Sequence, residues 1–313
     1  MMWQQDKMRA SGMLIFAAIA WGALFEIAKG TLHTLDAFWL SAWRYIPAGL
    51  LMLGVLRVVE GRRALSLDGY GLRLFLFGAL GFAGFSIFVF LGIARSRPEH
   101  AAIIVALMPM MSALLNWLVH RRRPGAVALA AIVGALAGVV LVITKGHFDR
   151  LGEGTLGADL LVLAGVVSWV VYTMGASHVP GFSTLRYSAH SMALGAIAIL
   201  LVTLAAWAAG FSTPPAWHVV AAAKLEIAYL CLIAGVGAVV AWNGGIAVLG
   251  PANGVLFVNL VPITAFAIAV ARGQRFEPVE LLGAALVVGA LIASYFAARP
   301  KAPHRLASPA RFA

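Results

Sequence analysis

Charge is scarce in this chain. Of 313 residues, 11% are Asp, Glu, Lys or Arg, against about a quarter in soluble domains. Water is therefore not its main solvent. Cysteine is scarcer still: Cys231 stands alone, which excludes an intrachain disulfide, leaves the redox compartment unread and makes it a small packing residue. No stretch between apolar blocks is long enough for a soluble catalytic or nucleic-acid-binding domain, so the net charge of +11 speaks for orientation in a lipid bilayer rather than for a nucleic-acid partner. The apolar blocks also lack HExxH, a nucleophile with its base, a carboxylate dyad or a His-rich cluster. No catalytic residue, metal or cofactor is expected.

Apolar sequence is what the chain has in quantity, at 62% of residues. Ten blocks, each able to cross about 30 Å of hydrocarbon, occupy residues 12–32, 36–56, 71–94, 99–119, 125–144, 156–177, 183–209, 225–248, 251–271 and 279–298. Blocks such as LLVLAGVVSWVVY are apolar on every face, which suits helices packed in lipid and not the alternating strands of a barrel. The expected class is an all-α polytopic membrane protein. The first block follows Lys7 and Arg9, but its length and its Trp21, Glu26 and Lys29 mark a retained helix rather than a secretory signal. An inside N-terminus puts fourteen basic residues on the inner side and eight on the outer, with Arg44 inside a span; both termini are expected in the cytoplasm. Residues 1–11 form a short cytoplasmic segment, and the Pro- and Ala-rich basic tail, 299–313, has no core to bury and is expected to be disordered.

GIARSRPEHAAIIVALMP at 92–109 nearly repeats as GIAVLGPANGVLFVNLVP at 245–262, pairing Gly92 with Gly245, Pro98 with Pro251 and Pro109 with Pro262 at an offset of 153. Extended backward, the same offset lays Gly84 on Gly237; an offset of 148 lays Trp21 on Trp169, and one of 155 lays Gly134 on Gly289. The chain thus divides into five-helix repeats at 12–146 and 156–298. An odd number of spans per half inverts the second half in the membrane, and such inverted repeats enclose a midplane site served by alternating access.

With these features the chain resembles the drug/metabolite transporter superfamily, and more closely its ten-helix exporter group with two EamA-like repeats, which includes a bacterial aromatic amino acid exporter. The features that carry this are the ten spans, the paired halves, GIA followed by one Pro and a second eleven residues on, and the apolar last span, over about residues 12–298. The resemblance implies a carrier in the inner membrane of a bacterium, competent as a monomer, with a cavity between helices 1, 3, 4, 6, 8 and 9. It specifies the family better than the solute. Amino acids, aromatic or large neutral ones, are the expected small-molecule substrate. A broader set of hydrophobic metabolites or drugs is the alternative, and a non-transporting scaffold the third class.

Trp21 and Trp169 lie in mid-span, away from the interfacial belt where Trp is usual, and either line the cavity or face lipid or the core; Trp242 is a comparable candidate. Tyr45, Phe82 and Phe85 add apolar lining. Asn243 and Asn259 place amides in hydrocarbon, to bind a carboxylate or ammonium or to join helices. Asn253 reads as a helix cap and its mate His100 as a solvated residue at a helix mouth. Pro109 and Pro262 each remove a helix hydrogen bond near mid-span and read as paired hinges. Glu26 and Arg44, roughly 9 and 12 Å deep at 1.5 Å per residue, read as a structural ion pair, with Lys29 as the other partner for Glu26. His190 is a further protonatable group. Gly134 with Gly138, and Ala285 with Gly289, mark close packing of helices five and ten. Few carboxylates read as buried, which favours facilitated movement over obligatory proton antiport.

Overall fold

The computed structural model describes residues 2–121, 123–147, 155–250 and 254–297. Its elements are α1 (Met2–Thr31), α2 (Ala37–Glu60), α3 (Gly71–Arg95), α4 (Pro98–Ala106), α5 (Met108–His120), α6 (Ala126–Thr144), α7 (Leu156–Gly175), α8 (Thr184–Ala208), α9 (Lys224–Leu249), α10 (Leu260–Ala271) and α11 (Pro278–Ala297). A short helix, Trp217–Ala222, precedes α9, and a 3-10 stretch, Val255–Asn259, leads into α10. Among the described residues no strand is formed.

Local chemistry sets the boundaries. Asp36 caps α2 by accepting the amides of Phe38 and Trp39 at 2.9 Å each, and its other oxygen accepts the Ser212 hydroxyl at 2.6 Å, tying the end of α8 to the start of α2. Ser183 caps α8, and Pro98 opens α4, where a missing N–H costs nothing. The α1 helix begins ten residues before the expected start of the first block, because its charged first turns stay helical in solvent.

Among the described residues, seven helices are long and apolar enough to span a membrane, or eight if α4 and α5, bent by 45° at their junction, count as one; Phe257–Ala271 and Pro278–Ala293 are shorter apolar helices. The expectation of ten uniform spans thus meets two shortened ones and a broken one. Proline explains the break: Pro109, with no N–H, stands just after Leu107, whose carbonyl takes the amides of both Met110 and Met111 at 2.9 Å. Large apolar side chains such as Leu50, Val58 and Leu201 project outward, as a lipid-facing surface requires.

The same backbone irregularities recur in both halves. A π-helical turn runs from Ala79 to Gly84 in α3 and another from Tyr229 to Gly237 in α9, ending on the paired glycines. Leu107, where α4 breaks from α5, is the counterpart of Leu260, where the 3-10 stretch hands over to α10. Packing repeats as well, α3 lying on α7 as α1 lies on α9, while α2 meets α8 and α6 meets α11. A Cβ on Gly92 would lie 2.6 Å from the Ala158 carbonyl and from Val162, and one on Gly245 would lie 3.0 Å from the Ala10 carbonyl and 2.5 Å from Leu14. Ala10 and Leu14 precede Ala158 and Val162 by 148 residues. Only glycine permits these two approaches. At the crossing of α6 and α11, Gly138 meets Gly283, each within 2.5 Å of the other's carbonyl had it a Cβ, while a Cβ on Gly289 would meet no atom within 4 Å.

Candidate functional site

Two aromatic groups form where the halves meet. In one, Phe82, 1% exposed, is ringed by Tyr45 at 5.3 Å, Trp169 at 5.7 Å and Tyr172 at 5.2 Å between centroids. Trp169 also meets Phe85 at 5.2 Å and Tyr172 at 5.1 Å. Tyr172 stacks on Tyr187, whose hydroxyl donates to the Tyr172 carbonyl at 2.7 Å, while the Ser191 hydroxyl donates to that of Tyr172 at 3.3 Å. In the other group Trp21 lies 5.2 Å from Trp242. Its indole N–H donates to the Ala234 carbonyl at 3.0 Å, inside the π turn of α9, and the Tyr229 hydroxyl donates to the Ala20 carbonyl at 2.9 Å. The Trp21 acceptor therefore belongs to the π turn itself. The two Trp mates thus occupy separate groups.

Asn243 joins helices, its amide donating to the Ser188 hydroxyl at 3.4 Å. Asn259 is buried at the end of the 3-10 stretch, just before Pro262. Asn253 and Pro251 lie outside the described residues. His190 is buried at the loop end, its Nε2 2.9 Å from the Ala64 carbonyl.

The expected ion pair between Glu26 and Arg44 does not form. Glu26 accepts Arg272 at 3.1 Å, because packing of α10 against α1 delivers the residue just after α10 to that place. Lys29 does not take Glu26 either; its ammonium donates to the carbonyls of Ile93, Ala94 and Ser96 at the end of α3. Arg44 donates through Nε to the Leu230 carbonyl at 3.2 Å and lies over the rings of Tyr45 and Phe90.

A cluster that the sequence did not announce surrounds the start of α4. Arg97 holds Glu99 at 2.8 Å and Glu280 at 2.5 Å, and Lys145 lies 3.7 Å from Glu280. Asp159 accepts Ser96 at 2.5 Å and Thr155 at 2.6 Å, with His100 at 3.5 Å. Glu99 and Glu280 are fully buried and His100 is 3% exposed. This overturns two expectations, a solvated His100 and a near absence of buried carboxylates. The only sequence signal is the charge run RSRPEH between two apolar blocks, and its partners Asp159 and Glu280 arrive from distant helices. Among the described residues, no three His, Cys, Asp or Glu side chains are placed to hold a metal.

The opposite end is more open. A polar cleft of about 580 Å³ is lined by Glu60, Arg63, Ser66, Asp68, Ser183 and Arg186 among others, and touches neither aromatic group. The Ser66 hydroxyl and the Arg186 guanidinium hold the Asp68 carboxyl below the usual carboxylate range.

Comparison with known proteins fits this geometry. The profile of the EamA-like transporter family matches residues 8–144 and 156–296. An uncharacterized transporter, YrdR, of Bacillus subtilis is 34% identical over 89% of this chain and 88% of its own. A probable terminal-alkyne amino-acid exporter of Streptantibioticus cattleyicolor is 26% identical over 81% of this chain and 88% of its own. A crystal structure aligned over 93% of this chain and 98% of that one, at a TM-score of 0.64 and 22% identity, shares the fold.

Proposed function

The chain belongs to the EamA-like transporter family, and from that premise we propose that it exports amino acids, aromatic or large neutral ones, by alternating access. Membership in this family makes it a membrane transporter of the drug/metabolite superfamily and not an enzyme. The observation that carries the proposal is the pair of aromatic groups, Trp21 with Trp242 and Trp169 with Phe82 and Phe85, each seated beside one of two matching π turns. Flat apolar faces suit an aromatic or aliphatic side chain, and the amino-acid exporter among the relatives supports that class.

In this reading ten spans form two five-helix repeats, 12–146 and 156–298, inserted in opposite senses in the inner membrane of a bacterium, with both termini cytoplasmic and a monomer as the working unit. The matched breaks beside Pro109 and Pro262 are the hinges on which the halves exchange shape. Hydrophobic metabolites or drugs are the second reading, favoured by the apolar character of both aromatic groups.

Counterflow in liposomes containing the purified protein tests this. With unlabelled amino acid inside and labelled Trp, Phe, Thr, Lys or an unrelated drug outside, accumulation of Trp and Phe without an imposed gradient is the expected result. Accumulation of the drug alone would favour the second reading, and repetition under a pH gradient reads any role of the buried carboxylates.

A further inference from the structure

Arg44 is the one cation among the described spans that stands deep in the helical bundle without a carboxylate. Its depth is about 10 Å from the start of α2 at 1.5 Å per residue, and it is 3% exposed. Arg97 and Arg272 hold carboxylates near helix ends, and Lys29 caps the last carbonyls of α3. Arg44 has one hydrogen bond, from Nε to the Leu230 carbonyl, and two aromatic faces, Tyr45 with its centroid at 4.4 Å and Phe90 at 5.7 Å. Its Nη1 is buried with no hydrogen-bond partner among the described residues.

A guanidinium does not lose its proton in proteins, so this charge cannot be neutralised by titration. Burial of an unpaired charge in the hydrocarbon region is costly and marks function by default. The repeat does not carry such a charge twice: α8, the counterpart of α2, has no Lys or Arg beyond Arg186 in its first turn. Arg44 and the aromatic pair are tied to the same element. The Arg44 acceptor Leu230 and the Trp21 acceptor Ala234 are one turn apart in the same π turn of α9.

We propose that Arg44 is the anchor for a carboxylate on the transported solute, received by the guanidinium nitrogen that has no partner, while the apolar body of the solute lies toward Trp21 and Trp242. This rests on the transporter reading above and sharpens it. The solute class becomes aryl or alkyl carboxylates, zwitterionic amino acids among them, and amines or neutral drugs that lack the carboxylate are poor substrates. Planar, bidentate recognition of carboxylates is what distinguishes Arg from Lys.

The test compares three solutes in the wild-type protein: phenylalanine, 3-phenylpropionate, which lacks the amine, and 2-phenylethylamine, which lacks the carboxylate. The first two should exchange and the third should not. Arg44→Gln should slow exchange of both carboxylates about 10- to 100-fold, as removal of a hydrogen bond to a charge does, with Arg44→Lys retaining more. Exchange of 2-phenylethylamine at the rate of phenylalanine, or undiminished exchange by R44Q, would overturn the anchor and leave the carrier standing. If none of the three exchanges, the amino-acid reading has failed, and heat protection in detergent decides the anchor by itself. Benzoate and 3-phenylpropionate raising the unfolding temperature of wild type and not of R44Q would support it; an equal shift, or none, would sink it.

Discussion

The links that join α3 to α4 in the first half and α9 to the 3-10 stretch in the second occupy equivalent places, 95–100 and 248–253, yet one reads RSRPEH and the other VLGPAN. The first gathers Glu99, Glu280, Asp159 and Lys145 into a buried ionic cluster. The second brings no charge. In the same halves the backbone devices agree, from the π turns to the close approaches at Gly92 and Gly245. On the proposed alternating-access reading, the matched backbone devices are the moving frame and the charged link is a latch whose counterpart carries no charge, so the two ends of the molecule should open at different cost.

That contrast can be broken most severely at Arg97. Arg97→Met leaves Glu99 and Glu280 without their shared cation and should destabilise the protein by about 3 kcal/mol, as loss of one partner from a buried pair does; an unchanged thermal midpoint in detergent would mean the cluster is no latch. The shared frame is tested by Gly92→Val and Gly245→Val. Both force apart a backbone contact, and each should cost about 2 kcal/mol, the middle of the range for overpacking. Unequal losses would show that the halves are not equivalent where they look so. Trp21→Ala and Trp169→Ala should each lower exchange about tenfold, the factor that about 1.4 kcal/mol of lost ring contact implies, with less effect on folding; normal flux in the double variant would remove both from the solute path.

The smallest effect is expected at Asp68, whose bond to Arg186 is solvent-exposed. Its carboxyl is depressed in the folded protein, so its contribution is present above the unfolded value of about 3.9 and is lost as pH falls through the lower folded value. Asp68→Asn should differ from wild type by a slight, constant amount between pH 8 and 5 and converge with it below about pH 4. A difference that grew on acidification would reverse the sign of that coupling.

How far the sequence speaks depends on whether a feature is local. Pro109 and Gly84 impose their backbone geometry on their own helices, so the repeat they mark was legible without coordinates, and the described breaks fall where those residues pair with Pro262 and Gly237. Glu26 could be found as a buried charge but not its partner, since Arg272 follows a helix more than two hundred residues away. Periodicity likewise cannot choose a register among many small residues, so Gly283 rather than Gly289 meets Gly138. Tyr172 and Tyr187 carry no signal of their own in the sequence, because a tyrosine in an apolar block looks like packing until its hydroxyl finds a partner.

The single cysteine gains an experimental meaning from its neighbours. Cys231 is buried in the π turn of α9, next to the residue whose carbonyl holds Arg44, and no other thiol competes with it. It is a reporter already installed: on the proposed alternating-access reading, a small alkylating reagent reaches that buried sulfur only when the interior opens, and its labelling rate, with and without solute, would count those excursions in the unmodified protein.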